Sequence, residues 1–487
     1  MTFLWHDYET FGTHPAYDRP IQFAAIRTDE RLRPVGAPLK LTARPARDSL
    51  PHPFACLVTG ITPQRAEQEG LREAEFADRI HAAMMEPGTC AVGYNSLRFD
   101  DAVTRHLFYR NFIDPYEREW KNGNSRFDLI DVARMCYALR PAGVEWPERA
   151  EEPGVPSLRL EDLTAANGID HGAAHDALAD VQATIALARR LRDAQPRLFT
   201  WALTLRDREK VSRLLDPLAP GPLLHTSGLI EARRGCTTLV MPVAPVTDRP
   251  REVVVFDLMA DPAPLFDLDA DGIAERVFTR SEDLPQGAER IPLTTLGTNR
   301  VPMIAPAATL RGADPARIGL DVDRCRRHAR QLKERLDPVR AKLRRVFIPP
   351  SSPPPPDPDG MLYSGGFFTD RDRKTFEAIR RSAPERLADF RGPFDDPRVP
   401  EMLFRYRARN WPETLDALER ERWDRDRLER LNSSNVEGRL CAKGFLAELE
   451  EARAVRQGNR RDEALLEQVG AWARTLLAAP SERGREA

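Results

Sequence analysis

The chain has 487 residues, 41% of them hydrophobic and 30% charged, with a formal net charge of −2. That length exceeds one ordinary core and implies roughly two to four domains. The composition is that of a soluble globular protein: it excludes a membrane span, which needs about 18 unbroken apolar residues, and near-neutrality makes any polyanion-binding surface a local one.

The N-terminus enters a strand motif within a few residues and shows no basic segment followed by an apolar one, so no secretory signal is expected. Six cysteines (Cys56, Cys90, Cys136, Cys236, Cys325 and Cys441) are scattered without metal spacing, which fits a reducing, cytoplasmic setting. Arginine greatly outnumbers lysine; the excess suits phosphate recognition by guanidinium groups, or reflects a compositional habit of the source.

Strands are expected at Thr2 to His6, Gln22 to Thr28 and Pro38 to Ala43, then a helix near Leu71 to Met85 and a strand at Cys90 to Tyr94. Helices follow at Asp100 to Asn111 and Leu129 to Leu139. Ser157 is placed to cap a helix that Gly168 ends. Asp176 to Arg192 is amphipathic, with Leu178, Val181, Ile185 and Ala188 on its apolar stripe. Strands that meander and then alternate with helices predict an α/β domain over 1–195, a mixed sheet flanked by helices.

Over 196–348 the texture changes to short β-like runs such as Thr238 to Val243, Val253 to Leu258 and Val301 to Ile304, which predicts a small β-rich domain with helices at its flanks. Residues 349–360, Pro349-Pro-Ser-Ser-Pro-Pro-Pro-Pro-Asp-Pro-Asp-Gly360, read as a stiff linker. Helical periodicity with mixed charge predicts an α-helical domain over 361–478, and 479–487 reads as a frayed, disordered tail. No internal repeat is present.

Chemistry concentrates at the ends of these elements. Asp7 and Glu9 close the first apolar run, and residues i and i+2 of a strand share a face, so both can address one divalent cation while Tyr8 points away. Asp100 follows the second apolar strand. His175 and Asp180 are five apart, about 140° around an ideal helix, so His175 must sit at or before the first turn to share a site with Asp180. Singly each has an ordinary reading: a chance triplet, an acidic first turn, a capping or core histidine. Together they are the parts of a two-metal phosphodiester hydrolase.

The order Asp7, Glu9, Asp100, His175, Asp180 resembles the DEDDh exonucleases, with their RNase H-like fold. More closely, His6-Asp-Tyr-Glu-Thr-Phe-Gly-Thr-His-Pro15, Thr59-Gly-Ile-Thr62, Gly93-Tyr-Asn95, Arg98-Phe-Asp-Asp101 and Phe108-Tyr-Arg-Asn-Phe112 resemble the bacterial exonuclease I family. The likeness continues through Tyr137-Ala-Leu-Arg-Pro141 and Ala174-His-Asp-Ala177 to Tyr406-Arg-Ala-Arg-Asn410, nearly the full length. It implies an exonuclease domain, an SH3-like barrel domain and a helical C-terminal domain in a monomer. The implied activity is 3′→5′ removal of 5′-mononucleotides from single-stranded DNA, in DNA repair and recombination.

The resemblance also implies residue roles. Asp7, Glu9 and Asp180 match ligands of one ion, with Asp7 bridging to a second that Asp100 supports; carboxylate oxygens suit Mg²⁺ or Mn²⁺. His175, with an ordinary pKa of about 6.5, suits a general base. Asp176 either orients His175 or is an ordinary helix-start aspartate. Glu9, Arg105, Tyr116, Trp120, Arg134 and Arg159 match DNA-contacting positions, with Arg208 and Arg300 as further phosphate candidates. Leu158 departs from the aromatic usual beside Arg159. The family docks the C-terminal tail of single-strand DNA-binding protein, and Arg140, Trp201 and Arg311 occupy the matching positions, Trp201 in place of a tyrosine. The alternatives are a DEDDh nuclease of RNA ends, usually a short single domain, and a non-catalytic single-strand-binding scaffold, which would be expected to have lost a ligand.

Overall fold

Strand β1 (Thr2–Thr10) is covered on both faces, so its side chains are nearly all buried. The computed structural model describes residues 1–172, 176–347 and 357–478. β2 (Pro20–Thr28) pairs antiparallel with β1, placing Asp7 opposite Ala24 and Glu9 opposite Gln22. β3 (Leu39–Thr42) pairs antiparallel with β2, and β4 (Thr89–Gly93) runs parallel to β1. The order β3-β2-β1-β4 is thus the expected mixed sheet. Leu4 and Tyr8 point into a core with Phe23, from β2, and with Phe76, Ile80 and Leu107, from the helices described next.

Helices α1 (Pro53–Thr59) and α2 (Pro63–Glu69) are additions to the expected elements, each being seven residues long and opening on proline. Proline at the first helical position is pre-set for the helix and has no N–H to leave unpaired, so here it starts helices and does not break them. α3 (Glu73–Met85) and α4 (Asp100–Arg110) lie where the periodicity put them.

The chain divides into two compact units, and the division does not follow chain order. The first unit draws its described residues from Met1–Ser125, Gly172–Gln182 and Pro353–Ala487. In it the C-terminal helices share cores with the N-terminal segment. Phe11, Ile21, Leu50 and Cys56 pack with Phe445, Leu449, Leu466 and Val469, and Phe112 and Tyr109 pack with Phe376, Met402 and Tyr406.

A buried ion network fastens the same partners. Arg409 reaches Asp48 at 2.6 Å and Asp359 at 2.5 Å, while Arg405 and Arg430 each reach Asp357 at 2.6 Å. These guanidinium groups outweigh the burial of Asp48 and Asp359 and hold both carboxyls well below the usual range. The end of the expected linker is therefore no mere spacer: Asp357 and Asp359 are buried counter-ions. Residues 348–356 and the tail 479–487 lie outside the described residues.

The second unit draws on Arg126–His171 and Ala183–Ser352. It holds most of β5 (Ser125–Asp128), then α5 (Leu129–Leu139), a hairpin of β6 (Glu148–Arg149) and β7 (Glu152–Pro156), and α6 (Leu160–Ala166). Ser157 does not cap α6. Its hydroxyl meets the Asp162 carboxylate, and Arg159 occupies the cap position without a side-chain bond. α7 (Ala177–Ala194) begins in the first unit and ends in the second. The expected β-rich domain is an antiparallel sheet in the order β11-β10-β9-β8-β12, made of β8 (Leu223–Thr226), β9 (Thr237–Val246), β10 (Arg249–Asp257), β11 (Leu293–Gly297) and β12 (Met303–Pro306). Helices Val322–Glu334 and Leu336–Val346 follow it.

Candidate active site

Asp7 and Glu9 leave β1 on one side, as the two-residue strand period requires, and Asp180 meets them from the first turn of α7. One carboxylate oxygen from each of the three lies within 4.8 Å of the other two. Asp100, the first residue of α4, is buried beside them, and its Oδ1 accepts the Tyr8 backbone N–H at 3.2 Å. β1, α4 and α7 thus bring four expected carboxylates to one place.

The electrostatics are those of a cation site. Burial and the charges of Asp100, Glu9 and Asp180 push the Asp7 carboxyl well above its usual range. Burial, then Asp180, Asp100 and Asp176, push Glu9 up to about 8. Crowded, desolvated carboxylates resist ionising together unless positive charge joins them, and hard oxygen donors in this number fit Mg²⁺ or Mn²⁺. His6, next to Asp7, is kept neutral: burial and Arg118 lower it to about 4.

The start of α7 is fastened by residues that the sequence did not single out. Gln22 Oε1 accepts the Ala177 N–H at 3.1 Å from the strand position opposite Glu9. Lys40 Nζ lies 2.5 Å from Asp176, whose carboxylate also accepts the Leu178 N–H at 3.0 Å, so Asp176 does act as a helix-start aspartate. A buried glutamine inside an otherwise apolar strand was the available signal for Gln22. Below the site, Arg118 and Asp101 form a buried pair at 2.6 Å. His175 lies outside the described residues.

Of the expected DNA-contacting residues, Arg105 and Tyr116 come together in the first unit. The Arg105 guanidinium sits 5.5 Å from the Tyr116 ring centre and bonds Glu119 at 2.7 Å. Trp120, 65% exposed, is nearby in sequence. In the second unit Arg134 is buried against Asp131 at 2.6 Å, whereas Arg159 and Arg208 are exposed and Arg300 pairs with Glu252 at 3.0 Å. The three expected partner-binding residues lie around one short stretch. Trp201 Nε1 donates to Ile304 O at 2.9 Å, and Arg140 donates to Thr309 O at 3.0 Å and Arg311 O at 2.6 Å. Lys210 Nζ stands 4.0 Å from the Trp201 ring centre.

Three family models match in sequence: Exonuclease over residues 4–188, Exonuclease I SH3-like domain over 206–349, and Exonuclease I C-terminal domain over 356–476. The exodeoxyribonuclease I of Escherichia coli K12 is 47% identical over 423 residues, covering 87% of this chain and 88% of the relative. The solved exonuclease I from Methylocaldum szegediense superposes with a TM-score of 0.92 at 48% identity, covering 98% of this chain and 100% of that one. E. coli exonuclease I in complex with a dA16 oligonucleotide gives a TM-score of 0.92 at 43% identity, covering 98% and 99%. With its exonuclease, SH3-like and C-terminal segments in that order and its carboxylates gathered at the end of β1, this chain belongs to the exonuclease I family and is a nuclease, a hydrolase of phosphodiester bonds.

Proposed function

We propose that the protein is a 3′→5′ exonuclease that degrades single-stranded DNA to 5′-mononucleotides and serves DNA repair and recombination. The observation that carries this reading is the convergence of Asp7, Glu9 and Asp180 within 4.8 Å, with Asp100 beside them, in a chain of this family. A relative solved with dA16 supports single-stranded DNA as the substrate.

Asp7, Glu9 and Asp180 would hold one divalent cation, and Asp7 with Asp100 would support a second. Such ions supply charge that activates water and stabilises the leaving oxygen. A zinc-bound form of the E. coli exonuclease I–ssDNA complex is consistent with a divalent requirement, for which Mg²⁺ is our assignment and Mn²⁺ the alternative. His175 would take the proton of the attacking water, a task that imidazole as a residue type suits near neutral pH. Glu9 also contacts the terminal nucleotide. Arg105, Arg134 and Arg159 meet backbone phosphates, and Tyr116 and Trp120 offer ring faces to bases.

Arg140, Trp201 and Arg311 form the contact for the acidic, apolar tail of single-strand DNA-binding protein; a solved SSB/exonuclease I structure supports that class of partner. Free cysteines at all six positions suit a cytoplasmic setting, and we assign a monomer there. Among the described residues no helix is long and apolar enough to cross a membrane.

The test is to incubate 5′-labelled single-stranded DNA, duplex DNA and RNA with the protein and Mg²⁺, with an EDTA control. Single-stranded DNA should shorten from its 3′ end only with metal. Shortening from the 5′ end, or equal activity on RNA, would overturn the reading.

A further inference from the structure

Two residues beyond Glu9 the chain leaves β1 and turns back to enter β2 at Pro20. This reversal is organised on one buried side chain, Asp18. Its Oδ2 accepts the His14 backbone N–H at 2.7 Å, and its Oδ1 lies 3.5 Å from His52 Nε2. The other ring nitrogen, His52 Nδ1, is 2.8 Å from Glu448 Oε2, and Glu448 Oε1 accepts the Phe54 N–H at 3.3 Å. Glu448 belongs to the C-terminal helix Ala442–Val455.

The backbone is tied into the same contacts. The His52 N–H donates to Phe11 O at 2.8 Å. Gly12 passes so close that a Cβ there would stand 2.1 Å from Asp18 Oδ2 and 2.4 Å from His52 Cδ2. Phe11 is packed in a core with Phe445 and Leu449, from the helix that carries Glu448. One imidazole thus joins the segment following Glu9 to the C-terminal helices, which among the described residues bring no carboxylate of their own to the cation site.

We propose that Asp18, His52 and Glu448 form a positioning clamp by which the C-terminal helices hold the Glu9 end of β1 in register for hydrolysis. The proposal rests on the exonuclease reading above. An imidazole set between two carboxylates is held in its cationic form: burial alone would lower its pKa, but Asp18 and Glu448 outweigh burial and raise it to about 10. Other ionisable groups nearby do not compete. Cys56, on α1, is kept neutral by burial, Arg461 approaches Gly60 at the far end of that helix, and Arg19 is turned toward Asp48, Glu73 and Asp359.

Glu448→Leu removes the charge and both accepting oxygens, so His52 Nδ1 and the Phe54 N–H lose their partner on the C-terminal helix. Glu448→Gln keeps the link: with the imidazole neutral, its Oε1 still accepts the Phe54 N–H and its amide N–H donates to Nδ1, while the Nε2–H serves Asp18. The experiment measures single-turnover removal of the 3′-terminal nucleotide by wild type and both variants from pH 6.5 to 9, with circular dichroism at each pH to report the folded fraction. Glu448→Leu should lower the rate about 10-fold, the scale of loss when a supporting hydrogen bond goes, and Glu448→Gln should restore it to within about two-fold of wild type by pH 9. His52→Ala should lower the rate by a factor similar to that of Glu448→Leu, and adding Glu448→Leu to it should cost nothing more. A Glu448→Leu rate within about two-fold of wild type, a Glu448→Gln rate at pH 9 as low as that of Glu448→Leu, or a fall matched by unfolding overturns the clamp. A wild type without exonuclease activity would instead overturn the proposed function.

Discussion

The carboxylate cluster makes a thermodynamic prediction that needs no turnover. Glu9 is 8% exposed and titrates at about 8 in the metal-free protein, against a usual value of about 4.5. A carboxyl raised by folding gives a relative stabilisation that is complete below its unfolded pKa and is lost as pH rises through its folded pKa. For Glu9 that window runs from about pH 4.5 to about pH 8, and a shift of that size corresponds to about 5 kcal/mol. Asp7 adds in the same direction. A divalent cation removes the penalty, so melting temperature in EDTA should drop between pH 6 and 9 while that in Mg²⁺ stays nearly level. About 2.7 kcal/mol of the Glu9 share falls between pH 6 and 8, so at roughly 2 °C or less per kcal/mol for a unit of this size Glu9 alone should open the gap by up to about 5 °C. His52 also sheds stability toward pH 10, but equally in both buffers, so the difference between them cancels it. Glu9→Gln, which removes the ionisation, should narrow the gap by flattening the EDTA curve. Scanning calorimetry of both proteins across that range decides it: a gap independent of pH would show that these carboxylates do not share a cation.

Asp7→Ala, Glu9→Ala and Asp180→Ala should each abolish hydrolysis of single-stranded DNA while the protein stays folded. Activity above about a tenth of wild type in any of them would remove that residue from the ligand set, since even a supporting residue can cost 10-fold. His175→Ala should slow the single-turnover rate by about 10² to 10⁴ and leave single-strand affinity in Ca²⁺ unchanged; loss of binding would make the residue structural. Arg159→Ala should lower the slope of log affinity against log salt by about 0.7, the share of one phosphate contact on a single strand, and an unchanged slope would strike it from the interface.

What could be read from the sequence was what local periodicity encodes. Asp7 and Glu9 were legible because a strand puts i and i+2 on one side, and the α4 and α7 patterns located the rest of the cluster. The short helices α1 and α2 were hidden by their prolines, and β5 and the β6–β7 hairpin by their brevity. Long-range pairing leaves no such trace. His52 and Glu448 are 396 residues apart, and nothing near Asp357 or Asp359 distinguishes a buried counter-ion from a polar end to a proline run. The Tyr406 to Asn410 motif was legible only as a resemblance. The structure gives its physical content: Tyr406 packs on Phe112 with ring centres 5.3 Å apart, Arg407 meets Glu419 at 2.7 Å, Arg409 joins Asp48 to Asp359, and Asn410 Oδ1 accepts the Ala74 N–H at 2.8 Å.

The same contacts change how the arginine excess is understood. Arg19, Arg110, Arg118, Arg405, Arg407, Arg409 and Arg430 all have side chains at most 16% exposed and are spent on carboxylates inside the first unit. Lysine would serve poorly there, because a planar fork can engage two carboxylates at once while a compact ammonium keeps a stronger hold on water. Part of the guanidinium content is therefore spent inside the fold. The charge left to meet a polyanion resides in the exposed residues, Arg159 and Arg208 among them. Loss of an exposed arginine that meets a phosphate should be measurable in the salt slope, whereas loss of a buried arginine should register in stability first.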